Sequence, residues 1–293
     1  MCERSGYRRL SSRQFTVQHD PVSCIGRLVS PVPESGGCRE TNHALPRRPS
    51  TRRNGMAHYL LIHGSWHGAW CWYKIVPRLA AHGRVSVVNL PGRGRDPAVP
   101  AEVGLSRMVD AAAAYLVDGE KTTIVVHSRY GVVASALAER HPERVCRVIY
   151  LASFMLPADD CVAQWSMSDR DSLVPANLQL SSSEYWDWLK PEAHVDALYA
   201  DCSADDVSLA RTLLCREPSR PAGEPLRLSA DRYGQVARAY IRLTEDRAVS
   251  PALQDRLIEA SPPQRVESIS ASHSAYFSQP DRLTETIMAI DRD

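Results

Sequence analysis

The chain is 293 residues long with a mass of 32.6 kDa, and 44% of its residues are hydrophobic, enough for a sizeable core in one large or two small domains. A formal net charge of +1 gives no global basis for binding nucleic acid or an anionic membrane. No apolar run reaches transmembrane length, and the leader holds none of signal-peptide length.

Residues 1–55 carry ten arginines against Glu3, Asp20, Glu34 and Glu40, with Pro21, Pro31, Pro33, Pro46 and Pro49 and no sustained apolar period. Such a segment buries too little apolar surface to offset its ordering entropy, so disorder is expected. An Arg- and Ser-rich transit peptide is the alternative, and the acids and prolines count against it. Met56 opens "MAHYLLIHG", where a strand begins at once, and is a candidate start, with the leader an upstream translation or a regulatory tail.

From Met56 the pattern alternates between strand and helix. "HYLLIH" (58–63) reads as a buried strand and 69–83 as the helix after it, closed by Gly83. "VSVVNL" (85–90) is the second strand, followed by the Gly- and Pro-rich loop "PGRGRDPAVP". A helix over 105–119 leads to the third strand, "TTIVVH" (122–127), then a helix stopped by Pro142 and the fourth strand over 145–153. Residues 157 to about 237 contain no strand-like run, only helical patches around "SEYWDWL" and "ADDVSLARTLL"; an insertion of this size often caps a pocket. "AYIRLT" (239–244), a helix over 251–260, "RVESIS" (265–270) and a helix over 281–290 complete the chain. Alternation of this kind predicts an α/β fold, a six-stranded mainly parallel sheet with helices on both faces and a helical cap.

The eight cysteines form neither a C-x-x-C pair nor a Cys/His cluster at zinc spacing. No metal or cofactor is therefore expected, and a reducing cytoplasm is the expected compartment. The partner expected is a small-molecule substrate, with no nucleic acid and no membrane; a homodimer is left open.

Ser128 lies between the third strand and a helix, the setting of a nucleophile elbow. A hydroxyl needs a base, and His273 in "SASHSAY" follows the sixth strand at the same sheet edge. An acid must fix its tautomer: Asp246 in "LTEDRAV" is the better placed, with Glu245 beside it. The amides of Ser65, in "HGSWHGAW", and of Arg129 would form an oxyanion hole. Singly, Ser128 reads as a helix cap, His273 as a loop histidine and Asp246 as a turn acid. Together they fall after strand carboxyl ends in the order one mechanism requires.

The segments "YLLIHGSWHGAWCWYKIVPRLAAHG", "VVNLPGRGRDP", "VVHSRYGVVASALAERHPERVCRVIYLASFMLP", "YIRLTEDRAVSP" and "SASHSAYFSQPDRL" resemble the α/β-hydrolase family that includes plant methyl-ester esterases, hydroxynitrile lyases and bacterial relatives. The resemblance covers about 56–293 and implies the α/β-hydrolase fold, with Ser128, Asp246 and His273 as triad and Ser65 and Arg129 as oxyanion amides. The lyases of that family have a lysine after the histidine, where Ser274 stands here, which weakens the cyanogenic reading.

One stretch departs from the family. Where relatives read Gly-His-Ser-x-Gly-Gly, this chain has Val126 and Tyr130 and keeps only Gly131. Crowding there is expected to cost about 1–3 kcal/mol if packing is tight. The Tyr130 ring must enter either the core or the pocket. Arg129 could steer an acid group or pair with a structural acid. Trp66, Trp165 and Trp186, with Tyr130 and Ser274, are candidate substrate contacts, since such pockets are often aromatic. The expected activity is hydrolysis of a small or medium apolar ester, methyl or aryl, through an acyl-enzyme. An acyltransferase or lyase on the same frame, or a non-catalytic binder on a retired hydrolase fold, are the alternatives.

Overall fold

The structure is a computed structural model that describes residues 57–292 apart from Gly94, Arg95, Pro97 and Glu184. The expectations for the leader lie outside the described residues.

Six strands form one sheet: β1 (Ala57–Ile62), β2 (Gly83–Val88), β3 (Thr122–His127), β4 (Val145–Leu151) and, after the cap, β8 (Ala237–Leu243) and β9 (Arg265–Ile269). Their order is β2-β1-β3-β4-β8-β9, and every pairing is parallel. Two-sided burial explains the nearly continuous apolar runs. Leu60, Ile62, Ile124 and Val126 pack against helices α2 (Leu105–Ala113), α3 (Gly131–Arg140) and α8 (Pro251–Ala260). Tyr59, Leu61, Val125 and Ile149 face the other way, onto α1 (Ile75–Ala80), α9 (Ala275–Ser278) and α10 (Pro280–Asp291). The helix expected over 69–83 is broken into a short 3-10 turn (Ala69–Trp72) and α1.

Between β4 and β8 the chain forms α4 (Val162–Met167), α5 (Val174–Asn177), α6 (His194–Leu198) and α7 (Ala204–Leu213). It also forms a small antiparallel sheet of β5 (Leu178–Leu180), β6 (Trp186–Leu189) and β7 (Glu217–Pro218), in the order β5-β6-β7. The expectation of a strandless cap with a helical patch at "SEYWDWL" is thus corrected. Asp187 and Leu189 are buried while Trp186 and Trp188 are partly exposed, a period of two. A carboxylate at an inward position disguised that alternation in the sequence.

Gly131 is the one elbow glycine the packing requires. A Cβ there would lie 2.4 Å from the Phe154 carbonyl oxygen and 2.7 Å from Ser153 Oγ. Both residues hold the elbow: Phe154 N–H and Ser153 Oγ–H donate to the Ser128 carbonyl at 3.0 and 2.6 Å. Gly131→Ala is therefore expected to lower stability by about 1–3 kcal/mol, read as the midpoint of urea unfolding; an unchanged midpoint would show that β4 and α3 can separate freely.

Candidate active site

Four parallel strands deliver the residues of the site at their carboxyl ends, where open α/β sheets gather ligand-binding groups. Ser128 follows β3 with φ 58°, a left-handed conformation that a non-glycine residue holds only under constraint. His273 lies in the loop after β9 and Asp246 in the loop after β8. His273 Nδ1–H donates to Asp246 Oδ2 at 2.7 Å, and Ser128 Oγ–H lies 3.1 Å from His273 Nε2. Asp246 Oδ1 accepts from the amides of Ala248 and Val249 at 2.7 and 2.9 Å, which fixes the carboxyl group in place and leaves Oδ2 for His273. Glu245, the other candidate acid, is exposed and its Oε1 accepts from Ser270. The arrangement suits proton removal from Ser128 by a neutral imidazole whose Nδ1–H is held by a carboxylate.

Ser65 follows β1; two buried histidines, His63 and His67, hold the backbone around it, and a third, His127, holds the backbone of His273. His63 accepts from Leu90 N–H at Nε2, so its Nδ1–H donates to the Gly64 carbonyl at 2.8 Å. His67 Nδ1–H donates to the Ser65 carbonyl at 2.7 Å while its Nε2 accepts from Tyr199 OH at 2.6 Å. His127 Nε2–H donates to the His273 carbonyl at 3.0 Å. Gly64 has no room for a side chain, since a Cβ would lie 2.7 Å from His127 Nδ1 and 2.9 Å from Ser128 Cβ.

Burial keeps all three imidazoles neutral: it holds His67 down to about 3, and lowers His63 and His127 well below the usual histidine value, with the charges of Arg93 and His273 adding to the effect. Each would take up a proton near pH 6.5 in the unfolded chain and none in the fold. Their contribution to stability is complete above pH 6.5 and is lost as pH falls, at about 1.4 kcal/mol per pH unit for each proton excluded. Urea midpoints are expected to drop between pH 6.5 and 5, and His67→Gln to flatten that slope by about one proton. An unchanged slope would show that His67 titrates freely in the fold.

Ser128, His273, Ser65, Trp66, Arg129 and Asp187 line one cavity of about 480 Å³, and the remaining wall is mostly apolar, from Phe154, Val174, Leu178 and Val249 among others. Four expected contacts lie elsewhere and are corrected. Tyr130 is fully buried in the core, its hydroxyl donating to Glu217 and its ring stacked edge-on to His63. Trp165 turns its indole N–H to Asp160 and lies under the Arg256 guanidinium. Trp186 sits on the face of β6 opposite to Asp187. Ser274 Oγ–H donates to Tyr276 OH inside the core. Arg129 takes the structural option: its guanidinium donates twice to Asp187, at 2.7 and 3.2 Å.

Arg93, Asp187 and Glu217 were missed. Arg93 donates to both Tyr130 OH and Glu217, and Glu217 also accepts from the Trp66 amide at 2.7 Å. The sequence signal for this set was the departure at Tyr130 together with Arg129 beside it, two polar side chains that need partners once buried.

A sequence profile described as the alpha/beta hydrolase family matches residues 59–286. A chloroplastic Arabidopsis thaliana sequence assigned as methylesterase 11 is 30% identical over 249 residues, covering 80% of this chain and 64% of that relative. The chain thus spans under two thirds of that protein's length. Esterase PIR7B of Oryza sativa subsp. japonica is 28% identical over 80% of this chain and 95% of its own. Among solved structures, a variant of tomato methylketone synthase I complexed with beta-ketoheptanoate superposes with a TM-score of 0.72 at 25% identity, covering 80% of this chain and 98% of that one.

Proposed function

The chain belongs to the alpha/beta hydrolase family, and from that premise we propose that it is a serine hydrolase of small or medium apolar carboxylic esters, methyl or aryl. The observation that carries the reading is the hydrogen-bonded chain from Asp246 through His273 to a strained Ser128 at the wall of an apolar cavity. In this mechanism Ser128 Oγ bonds to the ester carbonyl carbon as its proton passes to His273 Nε2. The oxyanion that forms is held by the amides of Ser65 and Arg129. Collapse expels the alcohol, which takes the proton from Nε2 and leaves an acyl-serine. Water, losing a proton to the same nitrogen, attacks the acyl carbon; the acid departs and Ser128 recovers its proton.

A cavity of about 480 Å³ is in the range of small-ligand sites. Asp187 neutralises Arg129, the guanidinium that lines it, which favours neutral substrates over carboxylates. The likeness to the methylesterase and esterase relatives supports the same class. Burial of the thiols of Cys71 and Cys161 unpaired supports a reducing compartment, and we place the protein in the cytoplasm.

The similarity to a methylketone synthase supports a second reading, lyase chemistry on this frame. Incubation with p-nitrophenyl and methyl esters in the presence of a competing alcohol, and separately with a β-keto acid, separates the readings, since a lyase would release carbon dioxide and a ketone from the keto acid and leave the esters intact. Free acid as sole acyl product is the result expected of a hydrolase; a transferred acyl group overturns it. A fluorophosphonate probe is expected to label the folded protein, and no labelling would favour the binder.

A further inference from the structure

The cap sheet holds Trp66 of the catalytic frame by three hydrogen bonds. Its N–H donates to Glu217 at 2.7 Å, its carbonyl accepts from Cys215 N–H at 3.0 Å, and its indole N–H donates to Asp187 at 2.8 Å. Strand β7 and the residues leading into it thus grip the Trp66 peptide groups on both sides, and β6 grips the side chain. Trp66 is held at φ 61°, a left-handed conformation that is costly for a non-glycine residue. Such a geometry persists only where its surroundings over-determine it.

The same two carboxylates also tie down the other oxyanion segment. Asp187 receives the Arg129 guanidinium, and Glu217 receives Tyr130 OH and Arg93. Arg129 and Tyr130 directly follow the nucleophile, and Trp66 directly follows Ser65. Two acids on the cap are therefore bonded to both loops whose amides would face the oxyanion. The cluster of Asp187, Glu217, Arg93 and Arg129 balances two negative charges with two positive ones, all buried. Buried pairs are weak sources of stability because desolvation offsets their attraction. Their value lies in fixing geometry, where an error of an ångström costs about 100-fold in rate.

Building on the hydrolase reading, we propose that Glu217 is a positioning residue: with Asp187 it sets the Trp66 backbone, and through it the Ser65 amide, so that seating of the cap completes the oxyanion hole. Tyr130 and Arg93 are the counterparts that hold Glu217 in place. This gives the buried Tyr130 hydroxyl a role at the elbow. The cap sheet also supplies cavity residues Leu178, Leu180 and Asp187, so the wall that meets the acyl group and the clasp on the oxyanion loop are one unit.

The test compares wild type, Glu217→Gln and Tyr130→Phe with p-nitrophenyl butyrate, a trifluoromethyl ketone whose serine adduct carries an oxyanion, and butyrate as product. Glu217→Gln is expected to slow acylation and weaken the ketone by the same factor, about 10- to 100-fold, with KM and butyrate affinity within about twofold of wild type. Tyr130→Phe keeps the ring and both charges and is expected to move the same two quantities in the same direction, less far. A purely structural role would lower the melting temperature without splitting ketone from product affinity. Folded Glu217→Gln with wild-type acylation overturns the proposal. If that variant does not fold, Tyr130→Phe decides, and wild-type acylation and ketone affinity in it overturn the proposal. A wild-type protein that turns over no ester and takes no fluorophosphonate label overturns the hydrolase reading itself, an outcome distinct from the others.

Discussion

Ser128→Ala is expected to remove ester hydrolysis, lowering kcat by about 10³- to 10⁶-fold, as loss of a nucleophile does when the rest of the site survives. The substitution deletes one hydroxyl and its bond to His273, worth about 0.5–1.5 kcal/mol, from a residue whose backbone is held by Ser153 and Phe154. The fold should therefore persist, with its melting temperature changed by only a few degrees. Stopped-flow measurement with p-nitrophenyl butyrate checks both steps at once: wild type should release a burst of nitrophenol and the variant none. Fluorophosphonate labelling should vanish with it. Retained burst and label in Ser128→Ala would mean that another nucleophile does the work.

Asp246→Asn carries the second large effect, and the geometry dictates its cause. Oδ1 of Asp246 accepts from the amides of Ala248 and Val249, so the oxygen of an asparagine must stay there. Its amide nitrogen then faces His273 Nδ1 and donates to it. That forces the ring proton onto Nε2, which must donate to Ser128 Oγ instead of accepting from it. The base is present but in the wrong tautomer, a change that costs about 10⁴-fold in kcat. Steady-state kinetics on the folded variant check this, with Glu245→Gln as control, since Glu245 is exposed and turned to Ser270. A loss of less than tenfold in Asp246→Asn, or a larger one in Glu245→Gln, would reassign the acid.

Both predictions rest on residues that could be found by reading the chain. Ser128, Asp246 and His273 each follow a strand of recognisable pattern, and parallel strands bring such positions to one edge. The elbow departure was visible too, but its meaning was not. Val126 lies in strand conformation within the core and needs no glycine. Tyr130 sits at φ −84°, an ordinary value, so the position asks for space and a partner for its hydroxyl, and no special backbone freedom.

The cap was the least readable part. Its strands are two to four residues long, and Asp187 occupies an inward place on β6 because Arg129 and Trp66 await it there. A short strand with a buried acid carries no apolar alternation to detect. The aromatic residues expected in the pocket were misplaced for a related reason: composition says that a tryptophan seeks cover, without saying which of several covers it finds.

What the sequence determined alone is therefore whatever local periodicity encodes: the succession of strands and helices, and the residues at strand ends that share one edge. Only the tertiary structure decided which way Tyr130 and Arg129 turn, which glycine of the elbow is indispensable, and that Asp187 and Glu217 meet them. Those partners stand 58 and 87 residues further along the chain, and contacts across such separations follow from how distant segments pack together, which no local pattern records.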